Sequence, residues 1–203
     1  MVSLVYDRRA IPLYFFLLPK KGNSNLSEQK QVLEPVLSLL YQYKIIVLGD
    51  REFCGVELGK WLSSEQQAYL VLRLKKNEYI EVEEEIWFQL KDLGLAPGMS
   101  IYYQGIKVTK TKGFGGFNLA AKWRKNYRDR RSKEPWFLMT NLATLTAATD
   151  AYAKRMGIEE MFRDFKLGGY NLEKTQVNNE RLIALILLIN ECLLSSYFFS
   201  ENN

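Results

Sequence analysis

The chain of 203 residues contains no histidine, and this absence excludes several chemistries as self-contained activities. Ser-His-Asp hydrolysis, histidine-ligated zinc and histidine-dependent DNA nicking each require an imidazole. Acid–base chemistry and metal binding must therefore come from the 23 Asp and Glu residues. Carboxylate oxygens are suited to Mg²⁺ or Mn²⁺.

Cysteine is nearly absent as well. Cys54 and Cys192 are far apart and lack the spacing of a metal site. Two isolated thiols indicate a reducing compartment. The apolar run Met1–Tyr6 is too short for a signal peptide, because charged residues follow it directly. We therefore expect a cytoplasmic protein.

Long apolar runs are limited to Leu182–Phe199, which raises the question of a transmembrane helix. Asn190 and Glu191 lie at its centre. A carboxylate in the middle of a bilayer costs on the order of 2–3 kcal/mol or more. The sequence therefore predicts a buried core helix. A membrane-associated protein is the weaker alternative.

The net charge of +5 is unevenly distributed. The segment from Lys107 to Lys133 contains ten basic residues and a single acidic one, Asp129. The basic residues are Lys107, Lys110, Lys112, Lys122, Arg124, Lys125, Arg128, Arg130, Arg131 and Lys133. Such a concentration indicates a polyanionic partner, with nucleic acid ahead of a membrane surface. A solvated lysine-rich loop is the alternative.

Apolar periodicity predicts an α/β chain of alternating strands and helices. The predicted elements are strands Met1–Tyr6 and Ile11–Leu18, helix Leu26–Tyr41, strand Lys44–Leu48, helix Val56–Leu62, strand Ala68–Leu74, a strand-rich insertion at about 75–134, strand Trp136–Leu142, helix Thr144–Lys166 and helix Glu180–Phe199. Because Lys44–Leu48 is continuously apolar, we expect a strand that is covered on both faces. The insertion contains the basic segment.

Four polar residues in the helix Thr144–Lys166 follow the spacing Y-x2-R-x3-E-x6-K. They are Tyr152, Arg155, Glu159 and Lys166. At about 100° per residue they would lie within roughly 60° of one another on one helix surface. An apolar stripe of Ile158, Met161, Phe162 and Phe165 would lie beside them and face the core. The alternative is an ordinary i,i+4 ion pair between Arg155 and Glu159.

The stretch Tyr43–Arg51, YKIIVLGDR, is an apolar run that ends in Asp50 and Arg51. In open α/β sheets, ligands bind beyond the carboxyl ends of the strands. The sequence therefore makes Asp50 a candidate ligand for a metal ion. The alternative is that Asp50 only caps the helix that follows.

Taken together, the two motifs resemble those of DDE-type insertion-sequence transposases, in the group named after insertion sequence four. The resemblance implies a ribonuclease H-like fold, with a mixed sheet, flanking helices and a strand-rich insertion. It also implies that Asp50 and Glu159 are the second and third catalytic carboxylates and bind Mg²⁺ or Mn²⁺. The implied reaction is metal-dependent DNA strand cleavage and transfer at transposon ends.

The resemblance further implies that three signature residues, Tyr152, Arg155 and Lys166, contact the DNA backbone. Arg51 is a weaker candidate for the same role. In the basic segment we expect non-specific DNA contacts from Lys122, Arg124, Lys125 and Arg128. The implied partners are transposon ends and target DNA, with no membrane, and a homodimer is expected in a synaptic complex. A bacterial, nucleoid-associated location follows.

The chain departs from the family pattern in one respect. The first carboxylate of the triad belongs on a strand upstream of the first hairpin, and Asp7, in the hairpin corner, is a poor substitute. We therefore expect residues 1–203 to be an incomplete catalytic domain that lacks the first strand and is inactive alone. The alternative is a non-catalytic DNA-binding remnant of a transposase.

Overall fold

The computed structural model describes residues 1–6, 9–20, 22–110, 114–125, 134–167, 172 and 175–201. The chain forms two compact units. The larger unit is Gly22–Ala153, and the smaller unit combines Met1–Lys21 with Lys154–Asn203.

The described residues form nine strands and five α-helices. The strands are β1 (Val2–Tyr6), β2 (Arg9–Tyr14), β3 (Ile46–Gly49), β4 (Tyr69–Arg73), β5 (Tyr79–Glu83), β6 (Ile86–Gln89), β7 (Ser100–Val108), β8 (Phe114–Lys122) and β9 (Trp136–Thr140). The helices are α1 (Leu26–Leu39), α2 (Val56–Lys60), α3 (Leu145–Lys154), α4 (Met156–Leu167) and α5 (Asn179–Glu201).

The larger unit is built on a seven-stranded mixed sheet with the order β3-β4-β9-β8-β7-β5-β6. Strands β3 and β4 are parallel, and every other neighbouring pair is antiparallel. The predicted α/β class is therefore confirmed at the level of a large mixed sheet with flanking helices. The strands predicted within the insertion are present and extend this same sheet.

Helices pack on both faces of the sheet. Along β9, Leu138 and Met139 point to opposite faces, because side chains alternate along a strand. Leu138 belongs to a cluster with Ala148 and Ala151 of α3. On the other face, a Cβ added at Gly59 of α2 would lie 2.7 Å from the Met139 methyl carbon. The absence of a side chain at Gly59 thus lets α2 approach the sheet closely.

Strand β3 is less covered than its sequence suggests. Within the described part of the chain it pairs only with β4, at one edge of the sheet. Ile46 is 38% exposed, and Val47 and Leu48 are half-buried. The expectation of a strand covered on both faces is therefore wrong for Ile46. By contrast, Leu70, Val71 and Leu72 of β4 are fully buried.

Helix α1 begins with a capping box. The Asn25 side chain accepts a hydrogen bond from the Glu28 N–H at 3.0 Å, and the Glu28 carboxylate accepts one from the Asn25 N–H at 2.8 Å. The inward positions include Val32 and Val36. Leu39, the last residue of the helix, is 71% exposed.

The smaller unit contains the β1–β2 hairpin together with α4 and α5. The hairpin pairs Val5 with Ala10 in antiparallel register, and its predicted corner, which includes Asp7, lies outside the described residues. Met161 and Phe165 of α4 and Ile189 of α5 form a buried cluster. Arg9 and Asp164 tie β2 to α4 through a 3.1 Å salt bridge.

The predicted helix Thr144–Lys166 is interrupted at Arg155. Helix α3 ends at Lys154 and α4 begins at Met156, with a 2.9 Å hydrogen bond from the Ile158 N–H to the Arg155 carbonyl. Gly157, a poor helix former, lies just after the break. The expected single surface carrying the whole signature is therefore wrong. In the apolar stripe, Phe162 is 42% exposed.

Helix α5 has a buried face and an exposed face. Ile186 and Ile189 are buried, whereas Leu187 and Leu188 are more than half exposed. Among the described residues, no helix has the length and apolarity needed to cross a bilayer.

Cys54 and Cys192 are free thiols, and burial raises the pKa of the Cys54 thiol.

Candidate functional site

Asp50 lies immediately after β3, at the carboxyl end of the parallel β3–β4 pair. Its carboxylate accepts a hydrogen bond of 2.9 Å from the Glu52 N–H and caps the 3₁₀ turn Arg51–Phe53. The capping role is therefore real. It does not exclude a ligand role, because a carboxylate has two oxygens with about four acceptor positions. The half-buried Asp50 lies at the sheet edge where α/β proteins place ligands.

Gly49 positions Asp50 by allowing close packing. A Cβ at residue 49 would lie 2.7 Å from Leu72 Cδ2 and 2.8 Å from Phe53 Cβ. Any side chain would therefore push β3 away from either β4 or the turn that Asp50 caps.

We predict that Gly49→Ala destabilises the protein by about 1–3 kcal/mol through overpacking. The melting temperature should fall by about 2–4 °C for each kcal/mol lost. Gly55→Ala is the matched control, because a Cβ at residue 55 would meet no atom within 4 Å. Equal melting temperatures for the two variants would contradict this view of the strand end.

Arg51 and Arg73 share one carboxylate. Both guanidinium groups pair with Glu134 Oε1, the Arg73 contact being 2.9 Å. Gly49 and Leu72 are the last paired residues of the parallel strands β3 and β4. Asp50 and Arg73, the next residues in each strand direction, are therefore neighbours at the carboxyl end of the pair. The carboxyl ends of β3 and β4 therefore carry one carboxylate and two guanidinium groups.

Three signature residues lie in the smaller unit. Arg155 Nη1 donates to Glu159 Oε1 at 2.6 Å, and the side chains are 17% and 59% exposed. The i,i+4 ion pair considered from the sequence is thus present, with Arg155 in the turn before α4. Lys166 follows Glu159 by about two helical turns and lies on the same face of α4. It is exposed.

Tyr152, the remaining signature residue, is buried in the larger unit with 4% of its surface exposed. Its ring packs edge-on against Trp136, with ring centroids 5.0 Å apart. The Arg124 guanidinium lies over the Trp136 ring, 4.2 Å from the ring centroid. The structure therefore links Tyr152 and Arg124 through one indole. Tyr152 does not lie on an open helix surface, as the sequence pattern suggested.

The basic segment is only partly available to a partner. The Lys107 ammonium pairs with Glu81 at 2.6 Å, and this hydrogen bond lowers the pKa of Glu81 and raises that of Lys107. Arg124 and Lys125 are exposed, and Lys122 is half-buried. Arg128 lies outside the described residues.

The two expected metal ligands belong to different units, Asp50 to the larger and Glu159 to the smaller. No three Asp, Glu or Cys side chains within the described ranges are grouped to hold a metal ion. What the described residues supply is two carboxylates, one at a strand end and one on a helix.

Sequence reasoning missed Arg73 and Glu134. Arg73 is the last residue of the apolar strand β4, and Asp50 directly follows the strand β3. This similarity was the available signal. Glu134 follows directly after the basic segment. Its ion pairs with Arg51 and Arg73, at the carboxyl ends of β3 and β4, could not be inferred from sequence spacing.

A family described as "Transposase DDE domain" matches residues 2–194, nearly the whole chain. A search of curated proteins finds no match.

Proposed function

The chain belongs to the DDE transposase family, and from that premise we propose that it performs metal-dependent DNA strand cleavage and transfer at transposon ends. The observation that carries the proposal is Asp50 at the carboxyl end of the parallel β3–β4 pair. Family membership supports DNA transposition and a divalent metal ion in general. The group named after insertion sequence four, the ribonuclease H-like topology and the Asp50–Glu159 pair are our finer proposals.

The donor set fits a hard divalent cation. Asp50 and Glu159 offer carboxylate oxygens, and the chain has no histidine to favour a softer metal. We assign both residues as ligands of Mg²⁺ or Mn²⁺. When bound, such ions activate the attacking hydroxyl and stabilise the leaving 3′ oxygen.

The chain's own residues position the DNA backbone. Arg155 holds the Glu159 carboxylate, and in this proposal its positive charge also attracts a backbone phosphate. Lys166, on the same face of α4, adds a second positive charge. Tyr152 is buried against Trp136, so in this proposal it supports the phosphate contact of Arg124 by packing.

Two carboxylates do not complete the triad that the reaction needs. We propose that these 203 residues hold its second and third members and are inactive by themselves. In keeping with this, β3 is an edge strand among the described residues, so the side of β3 away from β4 can accept another strand. A homodimer in a synaptic complex and association with the nucleoid are further proposals from the family.

We predict that Mn²⁺ stabilises the protein and that Asp50→Asn removes this effect. A Mn²⁺ concentration about tenfold above the Kd should raise the melting temperature by about 3–5 °C. Asparagine retains an oxygen that can cap the Arg51–Phe53 turn, so the variant isolates the lost charge. Thermal melting with and without Mn²⁺ is the measurement.

Glu52→Gln is the control, because Glu52 is an exposed carboxylate in the same turn. It should keep the full response to Mn²⁺, whereas Glu159→Gln should lose it. If wild type and all three variants respond alike, the ion binds elsewhere. DNA binding without any response to Mn²⁺ would favour a non-catalytic DNA-binding remnant.

A further inference from the structure

A pocket of about 210 Å³ opens beside the strand end that carries Asp50. It lies entirely within the larger unit. Its walls combine apolar side chains with five charged ones, Arg51, Arg73, Lys76, Lys91 and Glu134. The volume is below the usual range for drug-sized ligands, about 300–1,000 Å³, and suits a small group.

The charges around this pocket are strongly unequal. Four side chains are cationic and one, Glu134, is anionic. A 2.9 Å backbone hydrogen bond from the Lys91 N–H to the Lys76 carbonyl makes the two lysine backbones neighbours, and both side chains are exposed. Four cations against one carboxylate leave a net positive charge, which attracts anions. The lining therefore favours an anionic ligand.

The pocket floor is apolar and strengthens this preference. Leu74, Leu90 and Phe137 are almost completely buried. Electrostatic attraction is larger beside such low-dielectric surfaces than in water. An anion seated there would be held more tightly than one on an open lysine-rich surface.

Glu134 shows how an anion is bound at this point. A single oxygen, Oε1, pairs with both Arg51 and Arg73. A phosphodiester oxygen presents the same charge to two guanidinium groups and forms the same charge-assisted hydrogen bonds. The Glu134 side chain is 38% exposed, so it can leave the pocket without breaking the core.

On the basis of the proposed function, we propose that this pocket binds a DNA backbone phosphate and that Glu134 is its internal competitor. In the free protein, the Glu134 carboxylate occupies Arg51 and Arg73. On binding, a phosphate takes its place and gains Lys76 and Lys91 as additional cations. The pocket would thus hold the DNA strand next to Asp50.

The test is the salt dependence of binding to a short fluorescently labelled duplex, measured by anisotropy. Each phosphate contact contributes about −0.9 to the slope of log affinity against log salt. Lys76→Gln should reduce the steepness by about 0.9. Lys75→Gln should leave the slope unchanged, because Lys75 is an exposed neighbour outside the pocket lining.

Glu134→Gln should bind the duplex more tightly than wild type, since the competing charge is gone. Glu65→Gln controls for net charge, because Glu65 is exposed and does not line the pocket. The proposal is overturned if Glu134→Gln binds no more tightly than Glu65→Gln, or if Lys76→Gln keeps the wild-type slope. If the wild type binds DNA normally, these two results overturn only the pocket proposal and leave the proposed function unaffected. If the wild type binds no DNA, the pocket proposal and the proposed function are both overturned.

Discussion

We expect a quadruple serine variant to show a weaker salt dependence of duplex DNA binding. The slope of log affinity against log salt concentration should become less steep by about 3.6 when serine replaces Lys122, Arg124, Lys125 and Arg128. This value assumes one phosphate contact for each residue and a slope of about −0.9 per contact. The physical reason is the release of fewer counterions when fewer phosphates are neutralised. Anisotropy with a labelled duplex over a range of salt concentrations measures the slope directly.

A second quadruple variant provides the control for this loss of charge. Its four lysines belong to the same larger unit but lie outside the basic segment; they are Lys30, Lys44, Lys60 and Lys75. Serine at these positions changes the net charge equally and should alter the slope far less. If both quadruple variants give the same slope, the basic segment is only a solvated surface and supplies no dedicated DNA contacts.

The second large effect concerns catalysis. The 203 residues are expected to show no Mn²⁺-dependent nicking of plasmid DNA, because the two-metal reaction needs a further carboxylate to hold both ions. Adding a family-like strand that carries an Asp ahead of Met1 should raise the melting temperature and strengthen Mn²⁺ binding. The added strand would cover an exposed sheet edge, which is the source of the stabilisation.

The same graft with Asn in place of its Asp separates the two effects. It should keep the higher melting temperature and lose the stronger Mn²⁺ binding. Nicking by the present chain that disappears in Glu159→Gln would contradict the expectation, and would mean that another residue completes the site. Asp7 would then be the first residue to substitute.

Local sequence signals were sufficient for strands β3 and β4 and for the position of Asp50 directly after a strand. The continuous apolar run before Asp50 and the predicted strand Ala68–Leu74 contain β3 and β4, and these two strands form the parallel pair. The capping box at Asn25 is likewise local, because its two hydrogen bonds join residues three apart. These features depend on neighbours in the chain, and their physical causes are therefore visible in the sequence.

Features that depend on tertiary contacts were missed. The apolar periodicity predicted one helix for all four signature residues. In the structure the helix is interrupted at Arg155, and the Tyr152 side chain is buried against Trp136. The pairing of Arg51 and Arg73 with Glu134 joins residues more than sixty positions apart. No spacing rule reports such a contact, because it is set by the packing of β4 and β9 in one sheet.

The central claim is that Asp50 and Glu159 share a metal site. Anomalous diffraction from crystals soaked in Mn²⁺ tests it most directly. We predict a peak that both carboxylates contact at about 2.1–2.2 Å, and its loss in Asp50→Asn crystals. A peak bound by neither residue, or carboxylates too far apart to contact ions roughly 4 Å from each other, would contradict the catalytic assignment.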